Sequence, residues 1–171
     1  DLKPAGVFKY FEEICQVPRP SKKEEKMIAY LKAFGAKHNL ETKVDEAGNV
    51  LIKKPATPGK ENLQTVVLQS HIDMVCEKNN DVQHDFLTDP IETEIDGEWL
   101  KAKGTTLGAD NGIGVATELA ILADDSIEHG PLECLFTVDE ETGLTGAFEL
   151  KEGFMSGDIL LNLDSEDEGE I

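Results

Sequence analysis

His71, Asp73, Asp110, Glu140, Glu141 and Asp164 are the residues of this chain best suited to chemistry, and all lie in or just past apolar runs. The runs read TVVLQSHIDMV, TTLGADNGIGVA, LECLFTVDEETGLTG and DILLNLDSEDEGE. One imidazole among several carboxylates is a donor set for a divalent cation. A run such as Thr65 to Leu68 reads as a buried strand. In open α/β sheets, ligands gather beyond the carboxyl ends of the strands. Four such ends therefore predict one shared metal site.

Each motif has a functional and a plainer reading. His71 and Asp73 stand at i and i+2, which share a strand face. Asp73 can take the second ring N–H of a ligating His71 and fix its tautomer, or the pair is a core histidine beside an incidental acid. Asp110 sits among Gly108, Gly112 and Gly114. These glycines fit neither a dinucleotide fingerprint nor a phosphate loop. Here a carboxylate can reach two metals, cap the following helix, or do both. Glu140 and Glu141 can divide labour, one as ligand and one as general base toward water, or form a solvated acidic turn. Asp164 directly follows an apolar strand, where an acid is costly unless paired or ligating. Glu166, Asp167, Glu168 and Glu170 read as solvated surface, and His38, His84 and His129 as surface histidines.

These residues need a scaffold. Val7, Phe8, Phe11 and Ile14 have helical spacing over Pro4–Gln16, and Val17-Pro18-Arg19-Pro20 breaks that helix. Ser21 and Glu24 have the spacing of a capping box, predicting a second helix with Met27, Ile28, Leu31 and Phe34 as its apolar stripe. Strands are expected at 40–44, 50–53, 65–70, 132–138 and 159–163, with a hairpin around Asp96-Gly97 and a helix over 115–123. Residues 77–90 read as irregular, and the stretch from Glu141 to Leu150 as a loop or short helix. The order α-α-β-β-β-β-β-α-β-(α)-β favours a three-layer α/β domain with a mixed sheet.

The 171 residues suffice for one domain, and the formal net charge of −19 suits a cation better than a nucleic acid or an anionic membrane, both of which it repels. No apolar stretch approaches the ~20 residues of a membrane span. Cys15, Cys76 and Cys134 form no C-x-x-C pair. Neither a disulfide framework nor a thiolate zinc site is indicated, and reduced thiols in the cytoplasm are the expectation.

The combination resembles the co-catalytic zinc peptidase superfamily that includes carnosinases, and within it the aminoacyl-histidine (Xaa-His) dipeptidase branch, peptidase D. The matching segments are Ser70 to Val75, Gly104 to Gly112, Asp139 to Gly143 and Asn162 to Glu166. The resemblance implies a zinc-aminopeptidase-like, mostly parallel sheet. It implies that His71 and Asp164 hold one zinc, that Glu141 holds a second, that Asp110 bridges them, and that the peptide bond after Asp110 is cis. Asp73 would orient His71, and Glu140 would be the general base. Manganese or cobalt could replace zinc. The expected reaction is hydrolysis of unblocked dipeptides such as carnosine, by a homodimer. In the family, the second zinc takes another histidine from far downstream, and an inserted lid or dimerisation domain completes the pocket. Residues 1–171 are thus expected to be the N-terminal part of the catalytic domain, inactive alone. The alternatives are an aminoacylase-type amidohydrolase of the same superfamily and a non-catalytic cation-binding fragment.

Overall fold

A computed structural model describes residues 2–165; the acids at 166, 167, 168 and 170 lie outside them. The elements are α1 (Ala5–Cys15), α2 (Glu25–Lys37), β1 (Glu41–Val44), β2 (Val50–Lys54), β3 (Val66–His71), β4 (Thr93–Asp96), β5 (Trp99–Ala102), α3 (Ala109–Ala123), β6 (Leu132–Thr137), α4 (Thr145–Phe148) and β7 (Ile159–Asn162). Their order is the one expected from the sequence. β4 and β5 form a separate hairpin whose two-residue loop is Gly97-Glu98, one position later than anticipated, because Asp96 still pairs with Trp99.

The main sheet runs β1-β2-β6-β3-β7. β6, β3 and β7 are parallel neighbours, and only β2 opposes the common direction. The fold is therefore mixed α/β with a mostly parallel core. All six residues of β6 are buried, as expected for a parallel strand covered on both faces. Most of the apolar core lies on the helical side, where Phe11, Ile14, Met27, Leu31, Val115 and Leu119 pack onto Ile52, Leu68, Cys134 and Phe136. The opposite face is thinner, with Leu51, Val67 and Leu135 covered by Leu150, Phe154 and Met155. β7 is an edge strand whose four residues are all exposed.

The helix expected over 115–123 begins earlier, at Ala109, and is bent at its start. Asp110 and Asn111 have non-helical backbone angles, and the bond between them is cis, as the resemblance implied. α2 starts at Glu25 without any side-chain cap. Ser21 and Glu24 do not form the expected capping box, because both side chains bond to distant segments instead.

Candidate metal centre

Strand register brings the acids and the histidine together. His71 ends β3 and pairs with Thr137, the last residue of β6, while Gln69 pairs with Asn162, the last residue of β7. Glu140 and Asp164 thus leave the same sheet end, three and two residues beyond their strands. Asp110 differs from the expectation that every candidate follows a strand. It enters from the first turn of α3, and the N-cap position there is Gly108, so Asp110 does not serve as the cap.

His71 is 1% exposed. Its Nδ1 lies 3.1 Å from the Asp73 carbonyl oxygen and 3.3 Å from Asp73 Oδ1. Both are acceptors, so this nitrogen carries a proton and donates. Nε2 faces the opening, 3.0 Å from Asp110 Oδ1 and 3.8 Å from both Glu140 Oε2 and Asp164 Oδ2. Ligand atoms of His71, Asp110 and Glu141 lie within 4.8 Å of one another, a group that could hold a metal ion. The Asp110 side chain is 67% exposed, so the site is open to solvent on that side.

Asp73 is fully buried and organises more than the imidazole. Ser21 Oγ donates to its Oδ2 at 2.7 Å, and the backbone N–H groups of Glu140 and Glu141 donate at 3.0 and 3.2 Å. One carboxylate therefore positions the histidine and the acidic pair together. Burial opposes charge on both Asp73 and His71, but their mutual hydrogen bond and the other donors and acids prevail. Asp73 is held down at about 2, and His71 is lifted to about 9. Glu140, Glu141 and Asp164 are all shifted upward, first by burial and then by the crowding of like charges around Asp110. That mutual repulsion is the condition a bound cation relieves.

Sequence reasoning missed the supports. Glu24 Oε1 accepts the Asp139 N–H at 2.9 Å, and the Asp139 carboxylate accepts from Thr142 and Thr145 at 2.6 Å each, fixing the turn that carries Glu140 and Glu141. Asn111 Nδ2 donates to the Leu163 carbonyl and to Asp164 Oδ1, both at 2.9 Å. Buried Arg19 bonds to carbonyls on both sides of the site. The only signal for these was a set of polar residues beside the Pro18–Pro20 break and inside the quoted motifs. His38, His84 and His129, expected on the surface, are half-buried and stand apart from the site.

The model of the peptidase family M20/M25/M40 matches residues 67–167, more than half the chain. The cytosol non-specific dipeptidase of Escherichia coli is 53% identical over 170 residues, covering 99% of this chain and 35% of that protein. The crystal structure of aminoacylhistidine dipeptidase from Vibrio alginolyticus superposes with a TM-score of 0.95 at 57% identity, covering 98% of this chain and 34% of that one. Aminopeptidase PepT from Bacillus cereus superposes with a TM-score of 0.80 at 26% identity, over 95% of this chain and 43% of that one. The chain thus spans about a third of the length of its first two relatives.

Proposed function

Because the chain belongs to the peptidase family M20/M25/M40, we propose that it forms the N-terminal part of the catalytic domain of a metal-dependent dipeptidase. In this reading it acts on unblocked dipeptides, Xaa-His among them, and the site takes two divalent cations, zinc by preference. The observation that carries the proposal is His71. Its Nδ1 is tied to Asp73, and its Nε2 faces Asp110, Glu140 and Asp164 at 3.0–3.8 Å. A buried imidazole with one nitrogen held and the other turned to carboxylates fits a cation. The names of the relatives support the substrate class.

His71 and Asp164 would hold one ion, Glu141 the other, and Asp110 both. When bound, the ions would supply Lewis acidity toward the scissile carbonyl and acidify the attacking water. Asp73 keeps the Nδ1 proton in place, so Nε2 is the nitrogen that would release its proton and offer a lone pair to an ion. Glu140 is not part of the proposed ligand set. Its carboxylate is raised by burial and by Asp164, Asp73 and Asp110, with His71 opposing. A carboxylate tuned upward is suited to take the proton of the attacking water and return it to the leaving amine. The second ion needs a further histidine, which we place beyond residue 171, together with a lid and dimerisation domain. We further assign the protein to the cytoplasm, a reading supported by the name of its cytosol dipeptidase relative.

The test is hydrolysis of β-Ala-His and Ala-His by the full-length protein with zinc, beside N-acetylated amino acids. Glu140→Ala should retain zinc but lose roughly 10²–10⁴-fold in kcat. Full activity of that variant removes Glu140 from the role, and hydrolysis of only the N-acyl substrates favours an aminoacylase.

A further inference from the structure

Arg19 lies in the break between α1 and α2, yet it is 2% exposed. Among the described residues no carboxylate pairs with it directly. Its guanidinium instead donates to three main-chain carbonyls. Nη1 reaches Ile72 at 3.1 Å and Asp73 at 3.4 Å, and Nη2 reaches Gly108 at 2.7 Å. Ile72 and Asp73 immediately follow His71, and Gly108 lies two residues before Asp110. One planar fork therefore spans the two segments whose side chains meet across the site.

The surroundings fit that fork closely. A Cβ on Gly108 would fall 2.6 Å from Nη2, and one on Gly112 would fall 2.7 Å from it. Gly108 also has φ +72°, a conformation that glycine adopts without strain. The Arg19 main chain joins in, since its carbonyl accepts the Met74 N–H at 3.2 Å. A buried charge without a direct partner is costly; burial prevails and lowers the Arg19 pKa, while three carbonyl dipoles and the negative charges of Asp73 and Asp110 offset part of the cost.

We propose that Arg19 is a positioning residue of the metal centre, clamping the end of β3 against the start of α3. His71 Nε2 and Asp110 Oδ1 are thereby held 3.0 Å apart before any cation binds. The inference rests on the divalent-cation reading above. Lysine cannot substitute, because a single ammonium lacks the rigid fork needed to reach both segments.

The experiment measures zinc affinity of the full-length protein by competition with a chromophoric chelator, with thermal stability recorded in parallel. Arg19→Lys should weaken zinc binding by roughly 10–100-fold, the usual effect of losing a group that orients ligands. Lys54→Met is the matched control. Lys54 is also buried and donates to two carbonyls, Ile121 and Asp124 at 3.2 and 2.8 Å, at the far end of α3. It should lose stability and keep its zinc affinity. Gly112→Ala retains the charge and pushes on Nη2; it should also weaken zinc binding, and it replaces Arg19→Lys if that variant does not fold. Wild-type affinity in these Arg19 or Gly112 variants overturns the inference alone. A wild-type protein that binds no zinc overturns the cation reading and the inference with it.

Discussion

Glu118 sits in the middle of α3 at 0% exposure, and among the described residues neither carboxyl oxygen has a hydrogen-bond partner. Burial lifts its pKa well above the ordinary 4.5, and Ser70 and Cys134 beside it offset this only in part. The sign of the consequence follows from proton binding. Below pH 4.5 the folded and unfolded chains both carry the proton, and no stability is lost. Above it the unfolded chain releases the proton while the folded chain keeps it, so stability falls as pH rises toward the raised folded value. The slope approaches ~1.4 kcal/mol per pH unit. With an unfolded value of 4.5 and the folded chain protonated throughout, the loss between pH 5 and pH 6.5 reaches at most about 2 kcal/mol, or roughly 4–8 °C in Tm for a domain of this size. Glu118→Gln and Glu118→Leu remove this dependence, while every other titrating group remains common to variant and wild type. Thermal unfolding followed by circular dichroism at both pH values should show each variant's advantage over the wild type growing by that amount. An advantage that stays constant with pH refutes a neutral, buried Glu118.

Other perturbations have equally definite outcomes. Asp73→Ala strips the buried partner from His71 and leaves the Glu140 and Glu141 N–H groups without their acceptor. It should cost about 3–5 kcal/mol in denaturant unfolding, and a loss under ~1 kcal/mol contradicts the organising role given to Asp73. Leu119→Ala opens a hole between α3 and the sheet at a fully buried position and should cost about 2–5 kcal/mol, read from the unfolding midpoint. On the proposed reading, chelation of divalent metal should abolish dipeptide hydrolysis by the full-length protein and lower its Tm, since a ligand at a hundredfold excess over its Kd adds about 2.7 kcal/mol. A Tm indifferent to both chelator and added zinc counts against a cation bridging these segments.

Much of the architecture is legible in the sequence because its signals are local. The apolar stripes of α1 and α2, the continuous run of β6 and the turn residues between strands each reflect the burial of one short segment. That His71, Asp110, Glu140, Glu141 and Asp164 come together was also readable, since an acid or histidine beside an apolar run has few inexpensive explanations. The supports were not readable, because their partners are remote in the chain. Ser21 and Glu24 have the spacing of a local capping box, yet they bond to Asp73 and Asp139. Arg19 stands out in the sequence only as part of the Val17–Pro20 break, and only the folded chain shows the carbonyls it reaches. Asp110 lies outside the strand-end rule, because a bent helix start delivers its carboxylate where a strand was expected to.

The position of β3 between β6 and β7 has a kinetic consequence. Its neighbours come late in the chain, with Val66 pairing with Leu132 on one side and Ile159 on the other. No local hairpin can bring these strands together, and long loops must close before any contact rewards them. During synthesis α1, α2 and the β1–β2 hairpin can form early, while His71 waits for β6 to reach Glu140 and for β7 to reach Asp164. Among the described residues the centre is therefore one of the last parts to assemble. A nascent chain that stops short of β7 carries a complete first helical layer and an imidazole with only part of its surroundings.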